Sequence, residues 1–213
     1  MRDLTLWLLF SLFILSSCGD APTKKLPILG RKIPVERIVD GKKTIDSLEH
    51  TIPDFQFVNQ DSNAVTGESV DGKVYVADFF FTSCPTICPK VKKQLKRVDE
   101  AHRDKDDFLI LSHSIDTKYD TVGRLAWYAN KLNISSDSWH LVTGVKSEIY
   151  AIANEYYIAA FEDKEAPGGF DHSGYLALID RKRRIRGMYD GTDPKKVDLL
   201  IKDIDVLLSE KDD

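Results

Sequence analysis

Residues 73–81 read Lys-Val-Tyr-Val-Ala-Asp-Phe-Phe-Phe and run without a break into Thr82-Ser-Cys-Pro-Thr-Ile-Cys-Pro89. A stretch this apolar and this rich in β-branched and aromatic side chains predicts a strand buried on both faces, as in a parallel sheet covered by helices. Directly after it, Val91, Leu95, Val98 and His102 recur at helical spacing, with Lys92, Lys93, Lys96 and Arg97 mostly elsewhere on the helix. The order is strand, cysteine loop, helix. It puts Cys84 at the carboxyl end of a central strand and at the mouth of a helix, where open α/β sheets build their sites.

The remaining pattern completes an α/β unit. Residues 55–58 suggest a short strand, followed by a polar turn around Asp61, Asn63 and Gly67. Residues 108–114 read as a second buried strand, 121–132 as a helix, 139–142 as a short strand and 147–156 as a helix. Residues 175–180 and 185–189 form a hairpin joined by Arg181-Lys-Arg-Arg184. Asp193-Pro194, an N-cap followed by proline at the first helical position, opens a closing helix striped by Val197, Leu200, Ile201, Ile204, Leu207 and Leu208. A parallel βαβ half followed by an antiparallel hairpin and a helix predicts a thioredoxin-like fold, with a central mixed sheet flanked by helices. The extra helix and strand between the halves suit its peroxiredoxin-like branch. Upstream, residues 20–50 are polar, with 33–39 as a candidate hairpin arm turning at Asp40-Gly41.

At the amino terminus, residues 4–15 form an almost unbroken apolar run behind Arg2. It is too short to span a bilayer comfortably and fits a signal-peptide core. It stops at Leu15-Ser-Ser-Cys18, which resembles a bacterial lipobox and would make Cys18 the lipidated first residue of the mature chain. The expected organisation is a signal peptide over 1–17, a tether and extension over 18–50, and one domain over 51–210. The expected location is the bacterial cell envelope, lipid-anchored to a membrane and facing the periplasm. A formal charge of −4 offers no electrostatic case for a nucleic-acid partner.

The chain has three cysteines. With Cys18 lipidated, Cys84 and Cys88 alone would keep thiols. An exported protein usually pairs such residues as a disulfide, but a bridge this local closes too small a loop to add much stability. Redox or metal chemistry explains the pair better. Four apart, the two share a helix face if the first turn continues through both, and a helix N-terminus favours thiolates. Two thiolates suit soft Cu(I) and can also close to a disulfide. His172, in a loop entering a strand after Pro167-Gly-Gly169, is the candidate third ligand. His50 and His102 are expected at the surface, His113 packed in a strand, and His140 structural. Arg181–Arg184 reads as a solvated hairpin tip and Phe79–Phe81 as core.

Residues 80–89, Phe-Phe-Thr-Ser-Cys-Pro-Thr-Ile-Cys-Pro, resemble the core signature of the Sco/SenC family, which has three residues between its cysteines where thioredoxins have two. Ser114-Ile-Asp-Thr-Lys-Tyr-Asp-Thr121 is similar to that family's second block, with Thr117 where the family usually has proline. Trp139-His-Leu-Val-Thr-Gly144 is similar to its third, and Asp171-His172-Ser173 stands where the family carries its histidine ligand. The resemblance implies a thioredoxin-like copper chaperone that helps assemble the copper A centre of cytochrome c oxidase. Cys84, Cys88 and His172 would hold copper as Cu(I), and also as Cu(II). Asp116 and Asp120 would support the site loop, and Asp171 would orient the imidazole. The partner would be the copper-accepting oxidase subunit. The same cysteines would equally serve a thiol–disulfide oxidoreductase acting on that subunit. A thiol peroxidase needs one activated cysteine rather than a vicinal pair, and structural zinc wants a fourth ligand.

Overall fold

The computed structural model describes residues 25–210, apart from the side chain of His172. β1 (Ile33–Val39) and β2 (Lys42–Leu48) pair as an antiparallel hairpin turning at Asp40–Gly41. The body follows as β3 (Gln56–Asn59), β4 (Ala64–Thr66), a single helical turn α1 (Gly67–Val70), β5 (Val74–Phe80) and α2 (Cys88–His102). Then come β6 (Phe108–Ser114), α3 (Val122–Leu132), β7 (Trp139–Thr143) and α4 (Lys146–Glu155). A small hairpin, β8 (Ala160–Glu162) and β9 (Phe170–His172), precedes β10 (Tyr175–Ile179), β11 (Ile185–Asp190) and α5 (Pro194–Ser209).

Seven strands form one sheet in the order β11-β10-β5-β6-β7-β3-β4. β5, β6 and β7 run parallel, while β10, β11, β3 and β4 join antiparallel. This is the mixed, helix-flanked thioredoxin-like sheet expected from the pattern. β5 and β6 are buried along their whole length, which is why neither alternates polar and apolar residues. α2 turns Val91, Leu95 and Val98 inward, and each such buried side chain contributes about 1.5–3 kcal/mol of transfer free energy. α3 starts where the Thr121 hydroxyl accepts from the Arg124 N–H, and stops at Asn133 in the left-handed region. α5 opens on Asp193, whose carboxylate accepts from the Lys195 N–H at 2.8 Å. Among the described residues, no helix is long and apolar enough to cross a membrane.

Four expectations need correction. Beyond the reversal at Asp61–Ser62, the polar turn becomes an edge strand and the turn of α1. His50 and His102 are buried, not solvated. His50 Nε2 donates to the Glu155 carbonyl at 2.8 Å. His102 stands 3.1 Å from both the Val98 carbonyl and Asp205 Oδ1. The Arg181–Arg184 turn is not a loose basic tip. Arg181 donates to the carbonyls of Leu207 and Leu208 and to Asp107 Oδ2, capping the carboxyl end of α5. Arg183 meets Asp54, and Arg184 Nε donates to Asp180 Oδ2 at 2.8 Å. The hairpin reverses inside a ring of the protein's own carboxylates, so those charges are spent internally.

Candidate functional site

β5 delivers the chain into the centre of the sheet edge, and Phe81 stays fully buried. The backbone then leaves the sheet through Thr82 and Ser83. The Cys84 N–H donates to the Phe81 carbonyl at 3.2 Å, tightening the turn. α2 begins only at Cys88, with Ile87 as its N-cap and Pro89 in the first turn. The two cysteines therefore do not share a helix face as expected: Cys84 lies in the loop and Cys88 on the helix. The loop nevertheless folds back so that their side chains hydrogen-bond. Cys84 Sγ also lies 3.7 Å from Thr86 Oγ1. Both are buried thiols, Cys84 at 7% and Cys88 at 2% exposure.

The Cys88 thiol is pushed well above its ordinary range. Its hydrogen bond with Cys84 raises it most, then burial and the neighbouring sulfur's charge; the Phe81 backbone and Lys92 oppose this. The expected lowering by the helix start is outweighed here, because desolvation and a shared proton both favour the neutral thiol. A soft cation or an oxidant, either of which removes that proton, would relieve the penalty.

Asp120 fastens the loop from behind. Its Oδ2 accepts from the Thr82 N–H at 2.9 Å and from Ser114 Oγ at 2.7 Å, and Oδ1 accepts from Thr82 Oγ1. Arg124 Nε donates to the same Thr82 hydroxyl at 3.0 Å. Asp120 is fully buried, so these donors replace its hydration. Asp116 sits at the turn before it, half-buried. Its carboxylate accepts from the Tyr119 N–H at 3.2 Å, and burial raises its pKa.

Sequence reasoning missed a second support. Lys92, placed with the surface cations, is only 3% exposed. Its Nζ donates to Asp78 Oδ2 and to Ser112 Oγ, both at 2.9 Å, and stands 3.8 Å over the Phe80 ring. Ser112 Oγ in turn donates to Asp78 and accepts from the Trp139 indole N–H at 2.8 Å. Half of the signal is in the sequence: a single carboxylate in the middle of an all-apolar strand needs a buried cation, but which cation meets it is decided by packing.

The segment carrying His172 crosses the cysteine loop. The expected loop is instead strand β9, with the His172 backbone opposite Ala160 and exposed Asp171 opposite Phe161. Phe170 packs on Phe81 with ring centroids 5.0 Å apart. Gly168 has φ +84°, and a methyl there would lie 2.7 Å from Phe81 Cε2 and 3.4 Å from Pro85 Cδ. At Gly174 a methyl would lie 3.2 Å from Ile87 Cδ1. The backbone from 168 to 174 thus brackets the Cys84–Cys88 loop at both ends. The His172 side chain lies outside the described residues, as does Cys18. Among the described residues, no three His, Cys, Asp or Glu side chains converge to hold a metal. His113 is packed against Phe79 as expected, with ring centroids 4.6 Å apart. His140 Nδ1 lies 3.2 Å from Asn59 Nδ2 on the far side strand pair.

The family model described as SCO1/SenC matches residues 43–209. The chain belongs to the SCO1/SenC family. Among Sco relatives, the SCO1 protein homolog of Bacillus subtilis (strain 168) is 30% identical over 166 residues, covering 77% of this chain and 86% of that one. A SCO1/SenC family lipoprotein from Bacillus anthracis superposes with a TM-score of 0.67 at 28% identity, over 75% of this chain and 95% of that one. The structure of BsSco, reported with a disulfide switch and as a member of the Sco family of cytochrome c oxidase assembly proteins, matches with a TM-score of 0.67 at 29% identity. It covers 76% of this chain and 95% of that one.

Proposed function

We propose that this Sco protein carries copper as cargo on Cys84, Cys88 and His172 and delivers it to the copper A centre of cytochrome c oxidase, through the copper-accepting oxidase subunit. The observation that carries the reading is the meeting of two buried sulfurs under the segment that bears His172. Two soft anionic donors match Cu(I), and a neutral imidazole completes a three-coordinate site that also tolerates Cu(II). Asp120 would keep the Cys84 loop in place, Asp116 would brace the adjoining turn, and Asp171 would orient the imidazole. When copper leaves, the same sulfurs can close to a disulfide, so cargo transfer and a dithiol–disulfide cycle share one pair. The disulfide switch reported for BsSco supports that coupling. The lipoprotein nature of the Bacillus anthracis relative supports lipidation of Cys18 and a place on the membrane of a bacterial cell envelope.

The competing reading is a thiol–disulfide oxidoreductase that reduces cysteines of the oxidase subunit. Cu(I) titration of the wild type, Cys84→Ser, Cys88→Ser and His172→Ala separates the two. The copper reading expects one equivalent bound by the wild type, collapse with either serine, and weakened Cu(I) binding with a larger loss for Cu(II) in His172→Ala. Wild-type affinity for both ions in His172→Ala would remove the three-ligand site. A copper-poor His172→Ala that still supports oxidase assembly would put thiol exchange in its place.

A further inference from the structure

A groove of about 650 Å³ opens beside the site, between α2 and α3. Its apolar lining is made by the buried or half-buried Tyr128, Leu132, Ile134 and Trp139, and Cys84 is part of the same wall. Its rim carries Lys93, Lys96, Arg97 and Lys131 against one acid, Glu100. The whole chain is net acidic at −4, so the groove reverses the sign of the molecule around it. Arg97 is neutralised by Asp198. Lys96 donates only to the carbonyls of Leu132 and Asn133, which leave its charge intact. Among the described residues, no carboxylate pairs with Lys93, Lys96 or Lys131. Next to the rim, Trp127 is 48% exposed, with Arg124 4.1 Å and Lys131 5.2 Å from its ring. An exposed tryptophan flanked by cations is the residue type that anchors protein interfaces.

We propose that this groove receives an acidic, extended polypeptide segment and presents it to Cys84. The volume suits a few residues of extended chain and not a folded domain. The apolar lining takes their side chains, and the lysine rim takes their carboxylates. Of the two cysteines, Cys84 belongs to the groove's lining and Cys88 does not, so Cys84 is the one that meets an incoming ligand atom. The proposal rests on the reading above in one respect: the segment is assigned to the protein that receives metal or electrons from this site.

The test uses two matched ten-residue peptides, one with Asp/Glu flanks and one with Lys/Arg flanks. Each carries one cysteine as a mixed disulfide with a chromogenic aryl thiol. The Cys84 thiolate attacks the peptide sulfur and releases the coloured aryl thiolate. Cys88 then attacks Cys84, releasing the peptide thiol and closing the Cys84–Cys88 disulfide. The two electrons lost by the protein appear in the two released thiols. The acidic peptide should react about tenfold faster at low ionic strength, and the advantage should shrink at about 0.5 M salt. Lys93→Glu and Lys131→Glu should each reduce it several-fold. Lys105→Glu, exposed beyond the far end of α2 and an equal change in net charge, should leave it in place. Equal rates for the two peptides on the wild type overturn the proposal. So does a Lys105→Glu effect as large as the groove variants', which would reduce it to net charge. Copper titration of the wild type is read separately. A chain that prefers the acidic peptide but binds no copper keeps the groove and loses the copper reading; the converse keeps copper and loses the groove.

Discussion

Lys92 Nζ lies 2.9 Å from Asp78 Oδ2, with both side chains 2% exposed, one turn along α2 from Cys88. The pair ties the cysteine helix to the strand that leads into the cysteine loop. Removing one partner strands the other charge away from water. Lys92→Met should therefore cost about 3–5 kcal/mol in urea unfolding. Lys92→Met/Asp78→Leu should recover most of it. A single variant within about 1 kcal/mol of wild type would contradict the burial.

Asp120 accepts three donors from Thr82 and Ser114. Asp120→Asn keeps the shape but sets an amide N–H₂ against donors. It should lower stability by about 2–3 kcal/mol. It should also speed alkylation of Cys84 by iodoacetamide in the native state, because the loop loses its rear fastening. Unchanged alkylation would mean that Asp120 supports the sheet and not the loop.

Burial holds His113 neutral, with its pKa lowered from 6.5 to about 4, against partial opposition from the Asp78 carbonyl and charge. Between those values the unfolded chain binds a proton that the folded chain does not. Stability is therefore full above pH 6.5 and falls as the pH drops to about 4, by up to about 3 kcal/mol. His113→Phe, which keeps an aromatic ring beside Phe79, should flatten that part of the curve in denaturant titrations. A variant with the wild-type slope would assign the loss to other groups.

Gly168 and Gly169 both have φ +84°, but only at Gly168 does a methyl meet neighbours, Phe81 and Pro85. Each alanine substitution should cost about 1–2 kcal/mol of backbone strain. Gly168→Ala alone should lift the β8–β9 hairpin off the cysteine loop and weaken Cu(I) binding several-fold. Equal copper affinities for the two variants would show that the hairpin contact does not shape the site.

Cys18→Ser should block processing or move the protein into the soluble fraction after cell lysis. A variant processed and membrane-bound like wild type would rule out acylation at this position.

Much of this architecture is written in the sequence. β5 and β6 announce themselves as near-continuous apolar runs because both of their faces are buried. α2, α3 and α5 do so because burial of one stripe writes a helical period into the residues, and caps such as Thr121 and Asp193 mark where helices begin. The cysteine pair was legible because its chemistry depends on residue type and close spacing. The short elements were not: β4 and β8 have three residues each, too few for a period, and exist because a neighbouring strand offers its edge.

What the sequence by itself determined is local: the strand–cysteines–helix order, the thioredoxin-like succession of elements, and two soft donors four residues apart. What only the tertiary structure decided is long-range pairing. Lys92 reads as a surface cation until Asp78 and Ser112 are seen to meet it. Arg181–Arg184 reads as a solvated tip until Asp107, Asp180 and Asp54 close around it. The groove at Cys84 exists only once α2 and α3 lie side by side. Charge is assigned to a residue by its own chemistry, but whether it is compensated depends on partners tens of residues away. That information resides in packing and in no window of the chain.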